Sequence, residues 1–451
     1  MELDTEISSG ADTAWFTQAR FGLFIHWGLY ALPARQEWVQ KNEPMTAQVY
    51  QKYFDHFDPD LYAPEQWADV AAQAGVKYVV VTTKHHEGFC LWDTRLSDFK
   101  SPNTPARRDL LRPLVEACRR RGLRIGFYYS TIDWHHPQFT IDDLHVYGNH
   151  PDRAQMNKLR DQSKYIEFLH GQVRELLTDF GPIDVLWFDG GNYLGNRHAD
   201  PSKLWTGKCA KDWDSAGLLK MIRQLQPKVL LNDRLDVNDV AGGVDFLTYE
   251  QAMPLKQFER QGKPMAWETP QTFSGSWGYN RDEATWKSTK QCLEMLIYAV
   301  SKGGNLLLNV GPTGRGEFDY RAMERLSGMG QWMRYHGRAI YSCSKAPEDF
   351  PPPRNCVLTC NAEVGRLYLH ILDWPATPGT MGLSTHLYWE NISPDRFQYA
   401  QLLNDASEVK FWRPDTDKLR RGGYSENTTI LQLPVQPAAD VPVPVVEMFL
   451  K

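Results

Sequence analysis

Eight short runs of aliphatic, β-branched and aromatic residues recur between residues 20 and 312. They are 20–28 (RFGLFIHWG), 77–86 (KYVVVTTKHH), 123–130 (LRIGFYYS), 184–191 (DVLWFDGG), 228–234 (KVLLNDR), 245–251 (DFLTYEQ), 264–269 (PMAWET) and 305–312 (NLLLNVGP). Continuous apolar runs mark strands buried on both faces, as in a parallel sheet. Helical patterns at 63–75, 108–122, 155–181 and 286–304 precede the second, third, fourth and eighth runs, and Gly75 stands where a helix C-cap is expected. Such alternation predicts a parallel sheet, and eight strands predict an α/β (β/α)₈ TIM-like barrel. The gaps between the fifth, sixth and seventh runs are too short for full helices, so the barrel is expected to be irregular there.

A barrel of this kind takes about 250 residues, and the chain has 451. After a helix-like stretch at 320–341, residues 347–355 (PEDFPPPRN) read as a linker. Short alternating segments follow at 364–372, 385–392, 408–412, 427–433 and 443–450. These predict a C-terminal antiparallel β-sandwich. The expected domains are a barrel over 1–345 and a sandwich over 346–451.

Composition excludes several classes. A formal net charge of -5 leaves no basic footprint for nucleic acid. No apolar run approaches the roughly 18 residues of a membrane-spanning helix, so no membrane partner is expected. The opening MELDTEISSGADTAWF has neither a basic nor an apolar leader segment, which predicts a cytoplasmic location. A secreted chain trimmed of its leader would read the same. The seven cysteines are odd in number and scattered; Cys356 and Cys360 lack a second pair at zinc-ligand spacing, so free thiols are expected. The 16 Trp mostly suit a large core, but they also suit a ligand with flat apolar faces ringed by hydroxyls.

Catalytic groups of such barrels stand at the C-terminal ends of strands. Here those ends carry His26, His85 with His86, Tyr128, Asp189, Arg234, Glu250 and Glu268. Asp189 closes the apolar VLWF and precedes Gly190 and Gly191. It is either a reactive carboxylate or a turn-ordering one. Glu250 and Glu268 end neighbouring runs, and either could face Asp189 across the mouth. Two carboxyl groups flanking a bond are what glycoside hydrolysis requires. Glu37 and Glu87 are further carboxylates that could instead pair with a nearby cation. Adjacent strand residues point to opposite faces, so His85 and His86 make a poor metal pair. The glycines of SKGGNLLLNVGPTGRG lack phosphate-loop spacing.

These segments together resemble glycoside hydrolase family 29, the α-L-fucosidases. The resemblance rests on WFTQARFGLFIHWGLYALPARQEWV, KHHEGF, GFYYSTIDWH, LWFDGG, NDRL, WETPQTFSGSWGYN and LLLNVGPTGRG, and it covers roughly residues 15–340. It implies that Asp189 is the nucleophile of a retaining exo-α-L-fucosidase acting on fucosylated glycans. It implies a sugar pocket built by His26, Glu37, His85, His86, Tyr128, Trp187, Arg234 and Trp277. Glu250 best matches the acid/base position, with Glu268 as the alternative. The implied chemistry needs neither metal nor organic cofactor. The reading allows a homo-oligomer and transfer of fucose to other sugars. The rivals are a metal-dependent hydrolase using His26, His85 and His86, and a fucose-binding lectin on a decayed barrel.

Overall fold

Each of the eight apolar runs contains a strand in the computed structural model, which describes residues 11–190, 207–237, 243–255, 259–260, 262–375 and 385–451. The strands are β1 (Phe21–Ile25), β2 (Tyr78–Lys84), β3 (Arg124–Ser130), β4 (Val185–Asp189), β5 (Leu230–Leu231), β6 (Phe246–Thr248), β7 (Ala266–Thr272) and β8 (Asn305–Val310). They form one sheet in the order β5-β4-β3-β2-β1-β8-β7-β6. The register is parallel from β1 through β5 and between β6 and β7. Every residue of β1, β2 and β8 is buried, as their largely apolar sequences lead one to expect. This is the expected TIM-like barrel. Gly191 and the first ten residues, from which location was read, lie outside the described residues.

The ladder stops between β5 and β6, where the sequence leaves no room for a helix. Asp245 joins the two instead: its N–H donates to the Leu231 carbonyl (2.9 Å) and its carboxylate accepts from the Leu231 N–H (2.7 Å).

Helices α1 (Pro64–Gln73), α2 (Leu111–Arg120), α3 (Gln162–Asp179), α4 (Ser215–Leu225), α5 (Thr289–Ser301) and α6 (Tyr320–His336) are the longest. Gly75, just past α1, has φ 89°, the left-handed conformation that ends helices. Ser288 and Gln291 form a reciprocal capping box at the start of α5. The long pattern at 155–181 splits into Arg153–Asn157 and α3. The break falls where the Asp161 side chain accepts from Ser163 N–H (3.0 Å) and starts a new helix.

Two compact units emerge in space, the first chiefly Phe21–Trp286 with Leu307–Glu324, the second chiefly Lys287–Leu306 with Arg325–Lys451. In the second, β9 (Ser344–Lys345), β10 (Cys356–Asn361), β11 (Arg366–Ile371), β12 (Thr385–Trp389), β13 (Phe397–Leu402), β14 (Phe411–Trp412), β15 (Thr429–Leu433) and β16 (Val445–Leu450) make two antiparallel sheets. Their orders are β9-β10-β11-β16-β13 and β12-β15-β14. Leu369, Trp389, Phe397, Leu431 and Met448 belong to the core of this unit. The segment read as a linker contributes Phe350 to that core, and Trp389 Nε1 donates to Pro351 O (2.6 Å). All seven cysteines are free thiols.

Candidate active site

Side chains two apart on a strand share a face, and that spacing builds the site. On β4, Trp187 and Asp189 both face inward; Phe24 and His26 do so on β1 and just past it. His85 and His86 follow β2, Tyr128 lies on β3, Arg234 follows β5, and Glu250 follows β6. With Glu37, Trp38 and Trp277 from loops, and Ile132, Leu144 and Pro270 beside them, these residues enclose a cavity of about 250 Å³.

Arg234 organises the carboxylates. Its Nη1 donates to Asp189 Oδ1 (2.7 Å) and its Nη2 to Glu250 Oε2 (2.8 Å). Its Nε donates to Thr248 Oγ1 (3.1 Å), whose hydroxyl donates to buried Asp233 (2.7 Å). The guanidinium therefore has a fixed plane, and its carbon sits 4.6 Å from the Trp187 ring centre. Asp189 Oδ2 accepts from Tyr128 Oη (2.8 Å). Burial pushes the Asp189 carboxyl up, but the Arg234 charge and these donors outweigh burial and hold it below the usual carboxylate range. Asp189 is thus an ionised carboxylate, and 21% of its side chain is exposed to the cavity.

The histidines are neutral acceptors or donors rather than cations. Burial drives His26 down to about 3 and His86 to about 4, and it holds His85 well below its ordinary value. Partners set the tautomers. Asn309 Nδ2 donates to Trp277 O (2.7 Å), which turns Asn309 Oδ1 toward His26 Nδ1 (2.6 Å). Nδ1 of His26 must then carry the proton, leaving Nε2 to accept. Ser130 Oγ donates to Ile132 O (2.8 Å), so it accepts from His86 Nδ1 (2.6 Å). His86 Nε2, 3.8 Å from Asp189 Oδ2, is likewise an acceptor. His85 stacks on Tyr128, and its buried Nδ1 has no partner among the described residues.

These shifts predict how stability responds to acid. His26 and His86 contribute stability that is full above pH 6.5 and is lost as pH falls toward about 3 and 4, respectively. Each costs about 1.4 kcal/mol per pH unit in that window. Burial raises Glu87 to about 8 and Glu268 to about 7, so they act oppositely: protonation of the folded state adds stability until the unfolded carboxyls also protonate near 4.5. Burial also depresses His136 to about 4 and His145 and His370 to about 3, so the histidines outnumber these carboxyls and, in thermal denaturation, Tm should fall as pH drops from 6.5, continuing toward about 3.5. A Tm unchanged down to pH 3.5 would show that the imidazoles are charged in the fold.

Two loops complete the wall. Glu37 Oε2 accepts from Gly278 N–H (2.7 Å), and Arg35 pairs with Asn280 across the loops. A side chain at 278 would stand 2.9 Å from both Glu37 N and the Tyr30 ring, so glycine permits this approach. Burial raises the Glu37 carboxyl, and the Glu250 charge adds to this. Trp277 lies against His26 and Phe24, with ring centres 5.3 and 6.2 Å away.

With this geometry in view, the family model described as "Alpha-L-fucosidase" matches residues 4–338. The chain belongs to the α-L-fucosidase family. It is 31% identical over 428 residues to human tissue α-L-fucosidase, covering 90% of this chain and 83% of that protein. The solved α-L-fucosidase isoenzyme 1 of Paenibacillus thiaminolyticus is 38% identical and superposes with a TM-score of 0.85, covering 97% of this chain and 98% of that one. The Thermotoga maritima α-fucosidase, solved with a mechanism-based inhibitor, is 28% identical with a TM-score of 0.73 over 96% of each chain. This α-L-fucosidase is accordingly a glycoside hydrolase.

Of the residues expected at the fucosidase pocket, Glu268 alone does not line it. The run that carries it was expected to end at 269, but β7 continues to Thr272. Glu268 is therefore mid-strand and fully buried, accepting from Tyr78 Oη and Trp187 Nε1 (2.8 Å each). Glu87 is also off the cavity, bonded to Tyr50 and to Leu29 N–H (3.1 Å). Trp38, Ser130 and Asn309 were not anticipated. Asn309 carried a signal, since it interrupts the otherwise apolar LLLNV. Among the described residues no three His, Cys, Asp or Glu side chains converge to hold a metal ion.

Proposed function

We propose that this fucosidase is retaining and exo-acting, releasing terminal α-L-fucose from oligosaccharides or glycoconjugates through a covalent fucosyl-enzyme. One observation carries the reading: a single guanidinium holds Asp189 and Glu250 together on the wall of a small pocket. Carboxyls gripped by neighbouring nitrogens suit the close spacing of retaining pairs, about 5–5.5 Å, better than the roughly 6.5–9.5 Å that admits an inverting water. A cavity of about 250 Å³ falls just under the typical ligand-site range of roughly 300–1,000 Å³ and suits one sugar ring.

In the first step Asp189 attacks the anomeric carbon while Glu250 gives a proton to the departing oxygen. In the second, Glu250 takes a proton from water, which displaces Asp189 and restores the starting configuration. The acceptor nitrogens of His26 and His86 and the carboxylate of Glu37 receive the sugar hydroxyls. These bonds tighten as the ring flattens toward an oxocarbenium ion. Phe24 and Trp277 supply the apolar surface for the methyl group at C6. A second sugar can take the place of water, so transfer accompanies hydrolysis when acceptor is abundant. The mechanism-based inhibitor bound by the Thermotoga relative is consistent with this route.

The test is the configuration of the first-formed sugar. Proton NMR of an aryl α-L-fucoside digest should show α-L-fucose before mutarotation produces the β anomer. Initial release of β-L-fucose would mean inversion and would remove the covalent intermediate.

A further inference from the structure

Trp187 occupies the centre of the pocket floor. Its ring stacks on Tyr128 (5.6 Å, 21°), touches Phe24 (5.4 Å) and underlies the Arg234 guanidinium. An indole has one donor and no acceptor. Trp27, Trp67 and Trp134 give theirs to main-chain carbonyls of Thr313, Gly316 and Leu144. Trp187 lies in the middle of β4, where the main-chain carbonyls are engaged in the parallel ladder. Its N–H meets Glu268 instead, a carboxyl with no exposure at all. The other oxygen accepts from Tyr78, so both are occupied.

We propose that Glu268 is a positioning residue that fixes the Trp187 indole, and through it the Arg234 guanidinium, beneath the reacting sugar. The proposal rests on the assignment of Asp189 and Glu250 above. Glu268 has no path to the leaving oxygen, because it is fully buried and does not line the cavity. What it controls is the plane of that indole. Tyr128, which donates to Asp189, rests on one side of this plane, and Arg234, which holds both reacting carboxylates, packs against it. A carboxylate accepts from both donors and offers none. A glutamine can keep the arrangement, accepting from Trp187 while its amide donates to a rotated Tyr78 hydroxyl. A tilt that shifts Arg234 by an ångström displaces the nucleophile and its partner together, and such a misplacement typically costs on the order of 10²-fold in rate.

The experiment compares Glu268→Ala, Glu268→Gln and Glu268→Asp in the full chain, with and without Trp187→Phe, on aryl α-L-fucosides of good and poor leaving groups. Glu268→Ala should lower kcat about 10²-fold, with a smaller change in KM, and by the same factor on both substrates. Glu268→Gln should keep most of the activity. In the Trp187→Phe background, Glu268→Ala should have little further effect, because the two act as one unit. Where Glu268→Ala does not fold, Glu268→Asp takes its place: it keeps the carboxyl but withdraws the acceptor from the indole, and the same loss is expected. Full activity of Glu268→Ala or Glu268→Asp overturns the proposal, as does an undiminished loss in the Trp187→Phe background. A Glu268→Gln variant as damaged as Glu268→Ala, with losses confined to the poor leaving group, assigns Glu268 to proton transfer instead. Failure of the fucosidase mechanism is seen separately, in the wild type, as inversion or as no turnover of either substrate.

Discussion

Replacing Asp189 with glycine should lower turnover of an aryl α-L-fucoside by on the order of 10⁴-fold or more, as loss of a covalent nucleophile does elsewhere. The substitution removes the carboxylate that Arg234 and Tyr128 hold at the end of β4, every residue of which is paired with β3. Added azide should restore part of the activity. The small anion fits the space the carboxylate leaves and meets the same guanidinium and hydroxyl. It attacks from the face Asp189 used, so the product should be β-L-fucosyl azide. Near-normal turnover without azide would show that Asp189 only orders the strand end.

Replacing Glu250 with alanine should depend strongly on the substrate. General acid help is typically worth 10²–10⁴-fold and matters most for a poor leaving group. Natural fucosides should lose activity in that range, whereas dinitrophenyl fucoside should lose little in its first step. The second step should then limit, since water has lost its base. Azide needs no base, so it should accelerate turnover and give α-L-fucosyl azide, of retained configuration. Glu250 lines the cavity with 36% of its side chain exposed, while Glu268 is sealed below the floor. If Glu268→Ala gives the leaving-group dependence and the α-azide while Glu250→Ala does not, the two assignments exchange.

Strands buried on both faces announce themselves as unbroken apolar runs, and so the barrel was legible. The ends of those runs also announced His26, His85, His86, Tyr128 and Asp189, because a barrel's polar mouth begins where its apolar wall stops. Glu268 shows where that logic runs out. WETPQT continues as strand although it is no longer apolar, since β7 needs polar atoms to satisfy Trp187 and Tyr78 inside. A carboxylate that looked like a strand end was an interior one. Asn309 and Ser130 were missed for a related reason: their function is to set the tautomers of His26 and His86, and those partners are remote in sequence. The packing of Phe350 depends likewise on partners the linear order hides.

Because Asp245 stitches β5 to β6 in place of a ladder, the two carboxylates proposed to react stand on walls of unequal pairing. Asp189 is welded into consecutive parallel pairs, whereas Glu250 hangs from a three-residue strand beside a seam. Lengthening a loop adds only slowly to its closure entropy. Insertions around the seam can therefore reshape the surroundings of the leaving group without disturbing the attacking one. Arg234 then acts as the tether that keeps the adjustable half in register with the fixed half.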